Sequence, residues 1–421
     1  MRVLWVIPFL LISVPAWAQG VLTLRDALRM VETNNPAVLN AKAGLAAAEG
    51  EARESRGILY NNPELSLEHG RRTSPTEGGE VRTSEPAVGI SQTFEIAGQQ
   101  GHRREAARRE MEATRAQVLE AVAKGRGEVE QAFYEVLALQ SRAASENEIA
   151  KLAEDAANAV GKRVAAGEDS KLDGNLALVE AERARNQVET LREELVTARA
   201  RLAELLQLPP TSLPEVVGDL TPAAPSYSLP TLLESIPRRP HLASLESREQ
   251  AAISRLALER AAAVPDVTVG LNTAREGPQE FRERVTTLSV SIPLPFFRRN
   301  DAAIGRAMTE RDRVQIERRA ALRDTEAQVR ALWQRFQSLD ARVKRLSGSV
   351  LARLDENLSL STKAYRAGEI GILQLVVVNR QVLDARRDYL AAVTEWVKTR
   401  VALEQAAGWG LDSSGNAPSS R

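Results

Sequence analysis

Two stretches of 122 residues each, 87–208 and 296–417, contain no proline in a chain that has 19 of them. Proline lacks a backbone N–H and its ring clashes with the preceding turn, so it punctuates helices rather than sitting inside them. The two free stretches therefore mark where very long helices can form. Around this frame other features recur at an offset of about 200 residues: Pro36 with Pro240, Pro63 with Pro265, Ile90 and Phe94 with Val290 and Leu294, and Phe133 with Trp333. Glu128-Val129 recurs as Gln328-Val329, Ala166-Gly167-Glu168 as Ala367-Gly368-Glu369, and Leu172 as Leu373. So ordered a series reads as a tandem duplication of one unit, with a period far above the ~20–50 residues of solenoid repeats.

Each unit reads helix, strand, loop, strand, very long helix, turn, helix. The opening helix is expected over 24–58 in the first half and over 232–264 in the second. Strand pairs follow over 63–96 and 265–294, where Leu65, Leu67, Val88, Ile90, Phe94, Val267, Val269, Leu271, Leu288, Val290, Ile292 and Leu294 alternate with small or polar residues. That period of two is the signature of a sheet with one apolar face. The connections 71–85 and 275–283 are rich in Gly, Pro, Glu and Arg and read as solvated loops. The period then changes. Val329, Leu332, Phe336, Leu339, Val343, Leu346 and Val350 step by three and four, as do Val188, Leu191, Leu195, Ala198, Leu202 and Leu205. Helical hairpins are expected over 99–207 and 299–407. The first helix of each extends roughly 100 Å at 1.5 Å per residue, too long for one globular domain and suited to an elongated bundle or tube.

Charge narrows the function. The 56 basic residues balance 56 acidic ones, which argues against nucleic acid as a partner, because phosphate affinity needs a basic excess on one face. There is no cysteine, so disulfides, thiolate metal sites, thiol catalysis and thioether lipid anchors are all excluded. Arg2, the apolar run 3–14 and Ala16-Trp17-Ala18 form a signal peptide over 1–18, expected to direct secretion. No later stretch approaches the roughly 18 uncharged apolar residues of a spanning helix, so any passage through a membrane must use β-strands. The expected layout is thus a leader over 1–18, repeats over 19–220 and 221–410, and a disordered tail over 411–421.

Strands of about 9–11 residues suit an outer membrane, but four cannot close a barrel, and open edges in lipid leave backbone groups unpaired. Other copies must supply the closure. Three would give 12 strands with a pore, whereas two would give about 8, whose interior side chains fill. The expected fold is mainly α with a small β part: a trimeric 12-stranded outer-membrane β-barrel, four strands per chain, continued by a long periplasmic α-helical barrel.

The duplicated plan, the Gly167 and Gly368 turns, and the segment 375–403 with its Asn379-Arg380-Gln381 and Leu383-Asp384-Ala385-Arg386 resemble the TolC-like outer-membrane efflux protein family. Within it, Gln92-Thr93-Phe94-Glu95-Ile96-Ala97-Gly98-Gln99 resembles the outer-membrane components of cobalt-zinc-cadmium and other heavy-metal efflux systems. The resemblance implies a passive homotrimeric conduit in outer-membrane lipid, docked to a periplasmic adaptor (membrane fusion) protein and an inner-membrane RND pump. It places adaptor contacts at two turns: Arg163, Val164, Gly167, Glu168, Asp169, Ser170 and Leu172, then Tyr365, Gly368, Glu369, Ile370, Gly371 and Leu373. Each glycine also has a plainer reading as a helix terminator. Relatives narrow the closed pore with acids one turn beyond the glycine; here Asp173 fits, while the second half offers Gln374. Asp173 reads equally as a helix-start aspartate favoured by the dipole. Relatives' acylated cysteine is missing, which leaves anchoring to the barrel.

No enzyme motif appears: there is no phosphate loop, His-Glu-x-x-His or Gly-x-Ser-x-Gly, and Gly125 and Gly127 read as close helix contacts or a kink. No cofactor is expected. His69, His102 and His241 stand far apart in sequence, so choice of a transition metal falls to the pump or adaptor. Organic-drug export, type I protein secretion and a periplasmic coiled-coil scaffold are the competing readings, with a surface enzyme weakest.

Overall fold

A computed structural model describes residues 21–76, 79–209, 211–220, 227–277 and 282–409; the expected leader and tail lie outside them. The described residues are 71% helical with a small sheet part. The first half gives β1 (Leu22–Thr23), α1 (Leu24–Asn34), α2 (Pro36–Glu54), β2 (Glu64–Thr76), β3 (Gly79–Phe94), α3 (Gln99–Ala165), α4 (Lys171–Leu205) and β4 (Val216–Val217). The second gives α5 (Leu229–Ser235), α6 (Pro240–Ala261), β5 (Val267–Glu276), β6 (Glu283–Ser291), α7 (Asp301–Arg345), α8 (Leu351–Arg366) and α9 (Ile372–Ala407).

Three expectations need correction. The opening helices are not continuous: Asn35, pressed into extended geometry (φ −66°, ψ 123°) by Pro36, separates α1 from α2. A 3₁₀ turn, Ile236–Arg238, and Pro240 divide the second-half helix in the same way. The first segment read as a loop, 71–85, is mostly strand. β2 runs on to Thr76 and β3 starts at Gly79, because the charged residues there pair across the ladder, Arg72 with Glu85 at 2.8 Å among them. Finally, the second long helix changes pitch. A π-helical segment, Leu346–Val350, joins α7 to α8, where the hydroxyls of Ser347 and Ser349 donate to the carbonyls of Lys344 and Arg345. Ser and Gly348 are weak helix formers, and such hydroxyls compete for backbone acceptors. The short parallel pair of β1 with β4 was not anticipated.

The chain packs as two compact units, each assembled from separate stretches of sequence. One unit comprises the described residues of 36–124, 227–333 and 403–409. Its sheet is antiparallel in the order β2-β3-β5-β6. The register aligns Leu65, Ile90, Leu271 and Leu288 in one row across all four strands, flanked by Leu67 with Val88 and by Val269 with Val290. These side chains form an exposed apolar face. Ser66, Gly89, Asn272 and Thr287 form the next row, on the opposite face. Space there is limited: a Cβ on Gly89 would lie 2.6 Å from Ser66 Oγ. Below the sheet, Tyr227 packs edge-on to Trp409 and donates to Glu404 Oε1 at 2.9 Å. The motif 92–99 forms the corner from strand to helix. Gly98 has φ +79°, the side chain of Gln99 accepts from the Ala97 N–H and donates to Asp266, and Arg103 grips Glu95 with two hydrogen bonds.

The other unit comprises the described residues of 21–35, 125–220 and 334–402. Phe133, Val136, Leu191, Leu202, Val393 and Val397 are buried in it, and Phe336 stacks near Trp396 at 5.3 Å. Gly125 is a close contact, as expected: a Cβ there would stand 2.8 Å from Val31 Cγ1. Helix α4 ends on Gln207, whose φ of +53° is left-handed, with Leu208 N–H donating to the Ala203 carbonyl. Left-handed geometry costs an L-residue about 1–2 kcal/mol, and glycine avoids this. Gln207→Gly should raise stability by about 0.5–1 kcal/mol net of the lost Gln207 to Glu204 hydrogen bond, seen as a higher thermal midpoint of the helical signal.

Candidate functional site

The two glycine turns have the same construction. At the end of α3, Glu168 N–H donates to the Arg163 carbonyl (2.8 Å) and Gly167 N–H to Val164 (3.1 Å), with Gly167 at φ +80°. At the end of α8, Glu369 N–H donates to Ala364 (2.9 Å) and Gly368 N–H to Tyr365 (3.0 Å), with Gly368 at φ +74°. Each is a Schellman closure, which satisfies the last helical carbonyls and needs a residue without a Cβ penalty. Nothing lies within 4 Å of the Cβ position of either glycine, so backbone conformation alone demands it.

Packing brings the turns together. Ala156, Val160 and Ala177 of the first hairpin form one buried cluster with Leu375 of the second, and Val164, Tyr365 and Ile370 pack against it. Arg163 bridges Asp169 (3.0 Å) and Glu168 (3.7 Å), which ties the first turn to itself. Burial raises the Tyr365 phenol above its ordinary range, and Asp169 adds to this while Arg163 opposes it. Leu172 is exposed, as are Gly167, Glu168, Ser170, Gly368, Glu369, Gly371 and Gln374. The two turns therefore share the packing of Val164, Tyr365 and Ile370; the side chain of Leu373 lies outside the described residues.

Asp173 is engaged locally. Ser170 caps α4, accepting from Asp173 N–H at 3.1 Å and donating to Asp173 Oδ2 at 2.6 Å. This reciprocal cap, at the positive end of the helix dipole, accounts for an acid at that position. Asp173→Ala should cost about 1 kcal/mol of local helix stability, read as faster amide exchange over 171–176, with single-channel conductance and divalent-cation block unchanged. A changed conductance would assign the carboxylate to the pore.

Further from the turns, the hairpins are joined by ion pairs that the sequence showed only as charged positions between heptad residues. Arg387 holds Glu146 at 3.1 Å, Arg380 holds Glu180, and Arg400 holds Glu130. The first two pairs border a cavity of about 240 Å³ lined also by Ile149, Ala156 and Leu375. No group of three potential metal ligands occurs among the described residues, and none of their helices is long and apolar enough to cross a membrane.

The outer membrane efflux protein family model matches residues 27–207 and 232–409, most of the described chain. The chain belongs to that family. It is an outer-membrane efflux channel, and the exposed apolar band of its sheet is the part suited to lipid. Over 397 residues it is 27% identical to the cobalt-zinc-cadmium resistance protein CzcC of Cupriavidus metallidurans, covering 94% of this chain and 92% of the relative. In fold, this efflux protein is similar to a membrane protein from Pseudomonas aeruginosa (TM-score 0.78, 20% identity, 93% and 94% of the two chains). It is also similar to CusC, whose structures concern folding and transmembrane channel formation (TM-score 0.74, 19% identity, 92% of each chain).

Proposed function

We propose that this efflux protein is the outer-membrane duct of a tripartite heavy-metal exporter. It works as a homotrimer, with a periplasmic adaptor protein and an inner-membrane pump of the RND class. The observation that carries the reading is the four-stranded sheet, apolar on one face, with β2 and β6 at its edges. Edge groups left unpaired in lipid cost several kcal/mol each, and three copies joined β6 to β2 supply a closed ring of 12 strands. Likeness to a cobalt-zinc-cadmium resistance protein along nearly the whole chain supports divalent metal as the cargo. The duct is passive in this reading, and ion choice belongs to the pump and adaptor.

We assign adaptor contact to the surface of the two turns. Exposed Leu172 beside charged Glu168 and Glu369 gives that surface an apolar contact with a polar rim. Gly167→Leu with Gly368→Leu forces a side chain into left-handed geometry at about 1–2 kcal/mol per turn. The double variant should lose efflux while keeping trimers in the outer membrane, as measured by metal accumulation and by native gels of membrane fractions. Unchanged export would remove the assignment.

The reading as a whole is tested by growth of a deletion strain on zinc, cobalt, cadmium, nickel, copper and silver salts beside detergents and antibiotics, with plasmid complementation. Selective metal sensitivity supports it. Sensitivity to organic compounds alone would keep the duct and replace the cargo.

A further inference from the structure

The two strand-to-helix corners occupy matching places in the sequence but differ in charge. In the first, Arg103 is bound by Glu95 at 2.6 Å and lies over the Tyr60 ring, so the corner is neutral and closed. In the second, β6 ends at Ser291 and α7 begins at Asp301, and the chain between them reads Ile-Pro-Leu-Pro-Phe-Phe-Arg-Arg-Asn. Phe297 is 99% exposed, and Leu294 and Phe296 are also open. Arg298 and Arg299 are exposed and have no acid partner among the described residues. Asn300, held at φ +64°, donates its side-chain N–H groups to the Glu259 carbonyl and carboxylate at 2.8 Å, which fixes the turn and occupies the nearest acid of α6. Beside the turn is a cavity of about 480 Å³, lined by Pro265, Leu294, Phe297, Arg298 and Arg299 among others, and by no acidic residue.

We infer that this corner binds the headgroup phosphate of an anionic phospholipid from the periplasmic leaflet. Arg298 and Arg299 take the phosphate, Phe297 inserts at the interface, and an acyl chain lies along Leu294, Ile292 and Val290. The occupant follows from continuity: Val290 stands on the apolar row of β6, exposed Ile292 follows directly after the strand, and exposed Leu294 lines the cavity. Exposed apolar rings next to unmatched cations are the composition that interfacial anchors use, the rings at the acyl boundary and the guanidinium groups at headgroup level. The inference rests on the outer-membrane reading of the sheet.

Each arginine near an anionic surface contributes about 1 kcal/mol, a factor of about five, so two give roughly a thirty-fold preference over a zwitterionic lipid. The test reconstitutes the full mature chain in nanodiscs of phosphatidylcholine with a minor fraction of phosphatidylglycerol. Native mass spectrometry then reads the ratio of the two lipids retained after release. Wild type should retain phosphatidylglycerol roughly thirty-fold above its share, and Arg298→Gln with Arg299→Gln should fall close to that share. Equal retention by wild type, or a preference that survives in the double variant, overturns the inference. The wild-type ratio decides the matter even where the variant fails to assemble. Phe297→Trp provides an independent reading: its added emission should be quenched by brominated acyl chains, whereas absence of quenching would mean a second copy covers the ring and would also overturn the inference. A chain that does not enter phosphatidylcholine discs at all would instead count against the outer-membrane reading.

Discussion

Arginine at position 271 should keep the protein out of the outer membrane. Leu271 lies on an inner strand, in the row that aligns Leu65, Ile90, Leu271 and Leu288, and its side chain is on the apolar face. Arginine on the lipid face of a barrel costs about 2–4 kcal/mol near the bilayer midplane. In a trimer the cost is incurred three times, about 6–12 kcal/mol, comparable with the whole stability of a domain. Leu271→Arg should therefore be absent from outer-membrane fractions and cleared by periplasmic proteases. Thr287→Arg is the matched control, because Thr287 stands in the opposite-facing row with Ser66, Gly89 and Asn272. It should insert normally and alter only conductance or ion selectivity. Equal insertion of both variants would show that the apolar face is not the lipid face.

Loss of the Arg387 side chain should be the most damaging single change among the helices. Glu146 is only 5% exposed and receives Arg387 at 3.1 Å, while Arg387 itself is 40% exposed. Removing one partner of a buried pair leaves an uncompensated charge, at about 3–5 kcal/mol; the partial exposure of the guanidinium puts this pair at about 3. Arg387→Ala should lower the thermal midpoint of the helical signal in detergent. Adding Glu146→Gln should restore most of the loss, since a neutral amide needs no counter-charge. A double variant as unstable as Arg387→Ala would mean that the arginine acts through packing alone.

Periodicity made the main elements legible. The proline-free stretches and the three-four steps located the long helices, and α3 begins at Gln99, where the hairpin over 99–207 was expected to start. Gly167 and Gly368 were readable as helix ends because left-handed backbone selects glycine almost regardless of surroundings. Gln207 shows the converse, since a residue with no αL signature occupies that conformation when the local closure holds it there. Distal β2 and β3 were misread for a related reason. Charged residues resemble loop when read singly, and only the ladder register shows Arg72 opposite Thr83 and within reach of Glu85.

The sequence by itself determined where the long helices run, the alternating strands, the paired glycine turns and the membership of the efflux family. These depend on local rules of period and backbone geometry, which act within a few residues of each position. Tertiary structure alone decided which elements pack together. The compact units cut across the two sequence halves, α3 contributes to both, and Glu146 meets Arg387 across 241 residues of chain. It also decided that Asp173 closes on Ser170, while Arg298 and Arg299 remain unmatched at a corner whose counterpart is sealed by Glu95 and Arg103. Partner choice of this kind depends on distance in space, and a one-dimensional period carries no record of it.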